Sequence, residues 1–210
     1  MTIEKGAAWG RAAPLPRDGV VVSSDAEARR VVEAARAARR PPPVLGLVGG
    51  DLYRTLGGGS GAVPGGRGDP ERLRSAEAVT FQVDLGEVLV DGRLHLFVAH
   101  LVARTPAWRQ VFVAMNAQWL GRWDLGPRSH PNDGLLDISD ARLSLSDLPK
   151  VRARLPTGSH LPHPGITTRR VPAAQVTFAR PRRVELDGVV VGRPGAVSVR
   201  VEPDALTVVV

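Results

Sequence analysis

In the first fifty positions, two short continuous runs of apolar residues flank a segment in which apolar residues recur at helical spacing. Residues 19–23 (GVVVS) predict a short buried strand, and Ser24-Asp25-Ala26-Glu27 forms a capping box before an Ala- and Arg-rich helical segment. Prolines 41–43 end that helix, and the apolar run at residues 44–48 is typical of a buried parallel strand. Strand, helix and strand together predict a crossover unit of an α/β lobe.

Beyond residue 70 the apolar positions alternate with a period of about 2 instead of 3.6. Asp91-Gly92 and Asp187-Gly188 are two-residue turns that favour hairpins. We therefore predict an α+β fold, with a small α/β nucleotide-type lobe at residues 1–70 and a larger antiparallel β-sandwich-like lobe at residues 71–210. Further elements are predicted within residues 57–70 (a Gly-rich loop), 79–85, 87–90, 93–97 and 110–115 (strands), 144–155 (a short helix), and 175–179, 183–186, 189–191, 197–201 and 206–210 (strands).

Composition narrows the class of protein. The chain has 210 residues, no cysteine and a net charge of +7, so a disulfide scaffold and a cysteine zinc site are excluded. No segment approaches the roughly 18 apolar residues that would span a bilayer. We expect a cytoplasmic protein that contacts anionic membrane surfaces peripherally. No nucleic-acid partner is expected, because the arginines are spread along the chain and interleaved with acids.

Gly49-Gly50-Asp51 follows the second predicted strand, where α/β sheets bind ligands. Glycines there allow a phosphate to approach the backbone, the carboxylate can hold a ribose hydroxyl or a metal ion, and Arg54 can add a phosphate contact. The same three residues also make an ordinary turn at the end of a strand. Spacing alone leaves both interpretations open.

Two further Asp-Gly turns, at Asp133 and Asp187, carry a carboxylate each and are also explained by turn chemistry alone. A functional role requires both carboxylates in one pocket, as a metal ligand and a general base. His160 and His163 do not favour a metal site, because Pro162 breaks the helix on which such pairs converge. Trp119 and Trp123 flank a groove in residues 115–131, for which core packing and lipid headgroup binding are the alternatives.

Several motifs in this order resemble the bacterial diacylglycerol kinase-like lipid kinase family, which shares its fold with NAD kinases. The resemblance extends from about residue 25 to residue 210, and its most specific part is DGLLDI. The motifs that carry it are VLGLVGGD at residues 44–51, VDLG at 83–86, Asn116, DGLLDI at 133–138, ITTRRVPAAQVTF at 166–178, RRVELDG at 182–188 and VEPDAL at 201–206.

The resemblance implies roles for individual residues. Gly49, Gly50, Asp51 and Arg54 would bind the nucleotide, with Asp51 as the nucleotide-site aspartate. Asp187 would act as the general base on a lipid hydroxyl, and Asp133 would lie in an acidic turn associated with a magnesium site. The implied cofactors are ATP and Mg²⁺, and the implied reaction moves the γ-phosphate of ATP to the lipid.

This chain departs from the family pattern on the nucleotide side. Leu52-Tyr53 replace the Gly-Thr that follows the family's Gly-Gly-Asp, and Val189 replaces the acid of its late Asp-Gly-Glu. The chain is also shortened before residue 20 and between residues 97 and 110. Two hypotheses follow: an ATP·Mg-dependent lipid kinase, or a degenerate relative that binds lipid or nucleotide without phosphotransfer. The sequence leaves the acceptor lipid and the oligomeric state open.

Overall fold

The computed structural model describes residues 9–58 and 68–210. Within these residues, most of the regular structure is strand, as the α+β prediction requires. The helices are α1 (Asp25–Ala37), α2 (Asp51–Thr55) and α3 (Leu148–Arg154). The strands are β1 (Arg11–Ala12), β2 (Val20–Val22), β3 (Leu45–Leu47), β4 (Val79–Val90), β5 (Arg93–Phe97), β6 (His100–Arg104), β7 (Gln110–Met115), β8 (Trp119–Leu120), β9 (Trp123–Asp124), β10 (Leu136–Arg142), β11 (Ile166–Val171), β12 (Ala173–Thr177), β13 (Arg183–Leu186), β14 (Val189–Gly192) and β15 (Ala196–Val209).

A seven-stranded sheet joins the two ends of the chain. Its strand order is β1-β4-β15-β3-β2, with β12 also paired to β15 and β5 also paired to β4. β3 is parallel to both β2 and β15, and the other pairs are antiparallel. The last strand of the chain, β15, therefore lies next to the strands of the predicted crossover unit in the same sheet. The predicted division into two lobes at residue 70 stays a prediction.

A six-stranded antiparallel sheet forms the second layer, in the order β11-β10-β7-β6-β13-β14. Alternate residues of both sheets meet in a core that includes Val88, Val199, Phe112, Ile138 and Leu186, all at most 2% exposed. Because two apolar faces pack against each other here, this part of the chain is sandwich-like, as predicted.

Helix α1 covers the crossover strands through an apolar stripe with Ala28 and Val32 in the core. Its first turn is capped as the sequence predicts, since Ser24 Oγ accepts a hydrogen bond from the Glu27 N–H at 3.3 Å. The reciprocal contact lies one residue earlier than predicted: Glu27 Oε2 accepts from the backbone N–H of Ser23 at 2.8 Å.

The predicted strands 79–85 and 87–90 are one strand, β4, and no strand is predicted at β6, β10 or β11. Two further differences from the expected elements have local causes. Predicted strands 197–201 and 206–210 are one strand, β15, whose register shifts at Pro203, a residue with no N–H to donate to the sheet. The predicted helix at 144–155 begins only at Leu148, because Pro149 is tolerated only in the first turn. The hairpin at Asp91-Gly92 is confirmed, with positive φ at both residues.

Residues 59–67 of the predicted Gly-rich loop lie outside the described residues. In the described part of the chain, no helix is both long and apolar enough to cross a membrane.

Candidate functional site

The Gly-Gly-Asp turn connects β3 to α2, and both glycines are required by close packing. A Cβ atom at Gly49 would lie 2.6 Å from the carbonyl oxygen of Ser23, and one at Gly50 would lie 2.5 Å from Asp25 Oδ1. Gly50 also has a φ of +102°, which side-chain-bearing residues rarely adopt. These glycines therefore bring the turn against the start of α1, whatever ligand it binds.

The first amides of α2 are capped by a side chain of the chain itself. Asp25 accepts hydrogen bonds from the backbone N–H of Asp51 at 2.5 Å and of Leu52 at 3.1 Å. Amides at the start of a helix are the groups that hold a phosphate in nucleotide-binding turns. In this chain the Asp25 carboxylate lies where such an anion would lie.

Asp51 connects the turn to two other segments. Its Oδ2 lies 2.9 Å from Nε2 of His100 at the start of β6, and both of its oxygens accept from the backbone N–H of Gly121, at 2.9 and 3.0 Å. Leu52 and Tyr53, which replace the family's Gly-Thr, are buried in the core. The side chains of the turn thus face the protein rather than an open phosphate site.

Asp187 lies at the Asp-Gly turn that follows β13, and its side chain is fully buried. The carboxylate accepts three backbone hydrogen bonds, from Val98 at 3.0 Å, Ala99 at 2.9 Å and His100 at 3.1 Å. Arg29 of α1 adds a cation, with its Nε 3.8 Å from Asp187 Oδ2. A carboxylate surrounded in this way is stabilised as a structural anion.

Asp25, Asp51, His100 and Asp187 form one electrostatic unit, called here the Asp-His cluster. Burial raises the pKa of Asp25 to about 7, and the negative charge of Asp187 adds to this effect. Burial alone would lower the pKa of His100, but the hydrogen bond to Asp51 and the charges of Asp187, Asp51 and Asp25 outweigh it, so the pKa is raised. Both groups therefore hold protons more tightly in the folded chain.

A bound metal ion would also neutralise the negative charge of such a cluster. One ligand atom each of Asp25, Asp51 and His100 lies within 4.8 Å of the others. Two carboxylates and an imidazole suit Zn²⁺ or Mn²⁺ better than Mg²⁺, which prefers oxygen ligands alone. The donor set therefore does not favour the magnesium ion that the family resemblance implies.

Asp133 lies apart from the Asp-His cluster, in the turn before β10. It pairs with Arg170 of β11, whose Nε is also 3.4 Å from Asp137 Oδ2. The guanidinium of Arg170 is therefore the cation that the carboxylates of Asp133 and Asp137 share. The role of Asp133 as a magnesium ligand stays a prediction, and these contacts do not fit it.

Motifs that carry the family resemblance converge beneath this turn. Asp84, from VDLG, accepts hydrogen bonds from the backbone N–H of Gly134 at 2.7 Å and of Asp204 at 2.9 Å. These two residues belong to DGLLDI and VEPDAL. Asn116 donates from Nδ2 to the carbonyl oxygens of Asp84 and Val98 and so links this region to the strand end that binds Asp187. These hydrogen bonds give the motifs a structural role.

Arg54 contacts the β8–β9 hairpin. Its guanidinium carbon lies 3.4 Å from the centroid of the Trp119 ring, and one Nη donates to the carbonyl oxygen of Gly121 at 2.8 Å. Since Asp51 accepts from the N–H of the same glycine, the two side chains hold Gly121 from both sides. These hydrogen bonds and the stacking occupy Arg54 within the fold.

A cavity of about 320 Å³ lies between α3 and the outer face of the six-stranded sheet; we call it the α3 cavity. A second, shallower pocket is lined by His100 and Gly188, next to Asp187. Trp108 and Trp123 line both, with their ring centroids 5.4 Å apart. The two indoles thus form a common wall between an apolar cavity and the Asp-His cluster.

The structure brings together five of the six predicted site residues: Gly49, Gly50, Asp51, Arg54 and Asp187. Sequence reasoning missed Asp25, Arg29 and His100. In the sequence, Asp25 is only an acid in the first turn of a predicted helix, and His100 belongs to no motif. Their contribution depends on long-range contacts that local patterns do not encode.

Comparisons with known proteins agree with the fold. Three solved structures from Bacillus anthracis str. Sterne are similar, two named as a putative diacylglycerol kinase and one as diacylglycerol kinases. The three have TM-scores of 0.63, 0.60 and 0.55 and sequence identities of 13, 14 and 16%. Each covers 91% of this chain, which in turn covers 77, 77 and 75% of those chains. At such identities the likeness shows the fold alone.

The family of the chain is shown by a match of its sequence to a family model. A search of curated proteins gives no significant match. Residues 73–210, or 138 of the 210 residues, match the family described as the YegS C-terminal NAD kinase beta sandwich-like domain. This match and the structural matches confirm the predicted lipid kinase-like resemblance. The chain belongs to the family of YegS C-terminal NAD kinase beta sandwich-like domains.

Proposed function

We propose that this chain, which has a lipid kinase-like fold, binds a lipid and no longer transfers a phosphoryl group. The observation that carries the proposal is the position of Asp25, whose carboxylate already accepts from the first two amides of α2. A phosphate entering there would have to displace the Asp25 carboxyl group from those amides and would meet the charge of Asp51. Repulsion between like charges at this range disfavours a nucleotide.

The environment of Asp187 supports the same proposal. A general base needs a free lone pair within reach of the hydroxyl that it deprotonates. The Asp187 carboxylate instead accepts three backbone hydrogen bonds, lies next to Arg29 and is fully buried. Freeing it would leave buried amides unpaired, which is costly.

The α3 cavity and the surface of α3 support lipid binding. The α3 cavity is apolar, and small-molecule sites are typically apolar cavities with a few polar groups. The exposed residues Lys150, Arg152 and Arg154 of α3 give this side a positive charge. They support our proposal of peripheral contact with an anionic membrane surface.

The experiment combines binding and turnover on the full chain. Purified protein is incubated with Mg²⁺, γ-labelled ATP and a bacterial lipid extract, and lipid binding is measured in parallel by co-elution. We expect lipid to co-elute, no label to enter any lipid, and no change in thermal stability with ATP·Mg. Labelled lipid that disappears in the Asp187→Asn variant would overturn the proposal.

An active ATP·Mg-dependent lipid kinase is the second candidate. It is favoured by the common wall of Trp108 and Trp123, which places the α3 cavity beside the pocket lined by His100 and Gly188. A lipid whose chain filled the cavity would have its polar end directed towards Asp187. This candidate requires Asp25 to leave the amides of α2, so ATP·Mg would stabilise the chain.

A further inference from the structure

We infer that a polar pocket beside the α3 cavity binds a phosphate monoester group. Its lining includes Arg128, His163, Thr168, Arg169 and Arg170, and we call it the arginine pocket. The inference deepens the proposed function by naming the headgroup of the lipid, and it rests on that function only for a lipid source of the phosphate. No residue of the Asp-His cluster enters it.

The arginine pocket lies at the β11 edge of the six-stranded sheet and has a volume of about 890 Å³. Its other walls are the segment after β9, which carries Arg128, and the segment before β11, which carries His163. Because β11 has a neighbouring strand on one side only, residues from both of its faces, Arg169 and Arg170, border the pocket. The volume is within the range of small-molecule sites.

The charges that line the pocket are mainly positive. Three arginines line it together with one carboxylate, that of Asp137, which already pairs with Arg170. Arg128 and Arg169 are exposed, and neither has a hydrogen-bond or ion-pair partner among residues 9–58 and 68–210. Two guanidinium groups whose charge is not compensated therefore border a pocket that a ligand can reach from solvent.

His163 adds a further donor to the pocket. Its Nδ1 accepts a hydrogen bond from the backbone N–H of Gly165 at 3.0 Å, so the neutral ring carries its hydrogen on Nε2. Pro162 and Pro164 restrict the backbone on both sides of the histidine. The ring is therefore oriented by the chain itself, and the hydroxyl of Thr168 is another donor in the lining.

This set of donors suits a phosphate group. A guanidinium binds phosphate through paired N–H donors, which a single point charge does not offer. A phosphate monoester has three terminal oxygens and nearly two negative charges, so it can accept from several donors and compensate both free arginines. A carboxylate has two oxygens and one charge, and would leave part of the set without a partner.

The phosphate has two sources, a lipid headgroup and a soluble phosphate ester. Leu125, Ser139 and Ile166 line both the arginine pocket and the α3 cavity, so the polar and the apolar space adjoin. An amphipathic ligand would place its apolar chain in the cavity and its phosphate among the arginines. The arginine pocket shares no lining residue with the pocket next to Asp187, so a phosphate bound here is not presented to that carboxylate.

The test measures binding of three probes to the full chain by titration calorimetry, below the concentrations at which the lipids form micelles. The probes are dodecanoylglycerol phosphate, dodecanoylglycerol, which lacks the phosphate, and glycerol phosphate, which lacks the acyl chain. We expect Arg128→Ala and Arg169→Ala each to weaken both phosphate probes by roughly three- to tenfold, as for one lost charge-assisted contact, and to leave dodecanoylglycerol unchanged.

Matched controls separate a phosphate site from a general attraction of anions. Arg193→Ala removes an exposed arginine that follows β14, at the opposite edge of the sheet, and should change no affinity. Ala141→Phe fills the α3 cavity, so it should weaken the two acyl probes and leave glycerol phosphate unchanged. Unfolding midpoints in urea show whether each variant is folded.

Each outcome decides the inference. Binding of a phosphate probe that weakens in Arg128→Ala and Arg169→Ala but not in Arg193→Ala supports the site. Tighter binding of dodecanoylglycerol phosphate than of glycerol phosphate, lost in Ala141→Phe, identifies a lipid source, and equal affinity for the two identifies a soluble ester. Absence of binding by both phosphate probes, or equal losses in all three arginine variants, overturns the site.

The same measurements keep the site and the proposed function apart. Lipid that co-elutes from the bacterial extract, with no phosphate probe bound, overturns the site but not the proposed function. Phosphate transfer to lipid overturns the proposed function but not the site.

Discussion

The Asp25 carboxylate lies 2.5 Å from the backbone nitrogen of Asp51, although 26 residues separate the two in the chain. This contact connects the start of α1 to the start of α2 and places a buried carboxyl group against the Gly-Gly-Asp turn. The Gly-Gly-Asp turn at the start of α2 is where the family resemblance implies a nucleotide. The protonation state of this one buried side chain is therefore central to the predicted behaviour of the site.

The free energy of unfolding should respond to pH through Asp25. Its pKa is raised from an ordinary 3.8 to about 7, so the folded chain binds this proton more tightly than the unfolded chain. The resulting stability is present below about pH 4 and is lost as the pH rises to about 7. His100 acts in the same direction, since its pKa is raised above 6.5.

The Asp25→Asn variant removes that titration. We expect its unfolding free energy, relative to wild type, to increase as the pH rises from about 4 to 8. Urea unfolding at several pH values measures the difference. Glu33→Gln on the same helix, whose side chain is only partly buried, is the control. Parallel pH curves for wild type and Asp25→Asn would contradict the prediction.

Two of the Asp-Gly turns, at Asp91 and Asp187, offer a matched comparison of an exposed and a buried carboxylate. Asp187 and Asp91 have φ values of +49° and +47°, which Asn also tolerates. Asp187→Asn replaces one acceptor oxygen by an NH₂ group that faces buried donors, and should lower the unfolding free energy by about 2–3 kcal/mol. Asp91→Asn should change it by less than about 0.5 kcal/mol. Equal effects in urea unfolding would refute the structural role of Asp187.

Arg54 should contribute to the stability of the β8–β9 hairpin. Arg54→Ala removes the stacking on Trp119 and the hydrogen bond to Gly121, and we expect a loss of about 1 kcal/mol. The tryptophan emission of the folded protein should shift because the Trp119 ring becomes uncovered. Arg30→Ala, at an exposed position of α1, is the control. An unchanged emission spectrum would show that the stacking is absent in solution.

Removing Arg170 should make stability sensitive to divalent cations. Arg170→Ala leaves the carboxylates of Asp133 and Asp137 without their shared cation and should cost about 1 kcal/mol at neutral pH. Mg²⁺ at about 10 mM should recover part of that loss, because it replaces the missing charge. Arg169→Ala, on the opposite face of β11, should show neither effect. A loss that Mg²⁺ does not reduce would mean that the pair holds no cation site.

Local patterns predict several elements correctly, although not β6, β10 or β11, and the reasons for the correct ones are specific. The capping box and the prolines at 41–43 bound α1, and the alternation at residues 79–97 with its Asp-Gly turn produced the β4–β5 hairpin. The strand that follows Asp187-Gly188 was also predicted. In each case neighbours in the sequence determine the backbone.

The candidate site was less accessible to such reasoning. Gly-Gly-Asp and Asp187 are candidates from the sequence alone because they are turn residues after strands, but their partners come from distant segments. His100 approaches Asp51 across 49 residues, and Val98 approaches Asp187 across 89. The apolar residues of the α3 cavity look like ordinary core residues in the sequence, since only the gap between them makes a cavity.

Strand β15 has a consequence for the order of folding. Its residues pair in parallel with β3, and the partners Leu45 and Val208 are 163 residues apart. Closing so long a loop is entropically expensive, and chains rich in such pairs fold slowly. The crossover unit of β2, α1 and β3 already pairs β3 with β2, and β15 completes the other side of β3. Early refolding intermediates should therefore lack protection of the β3 amides that bond to β15, and should gain it together with the amides of β15.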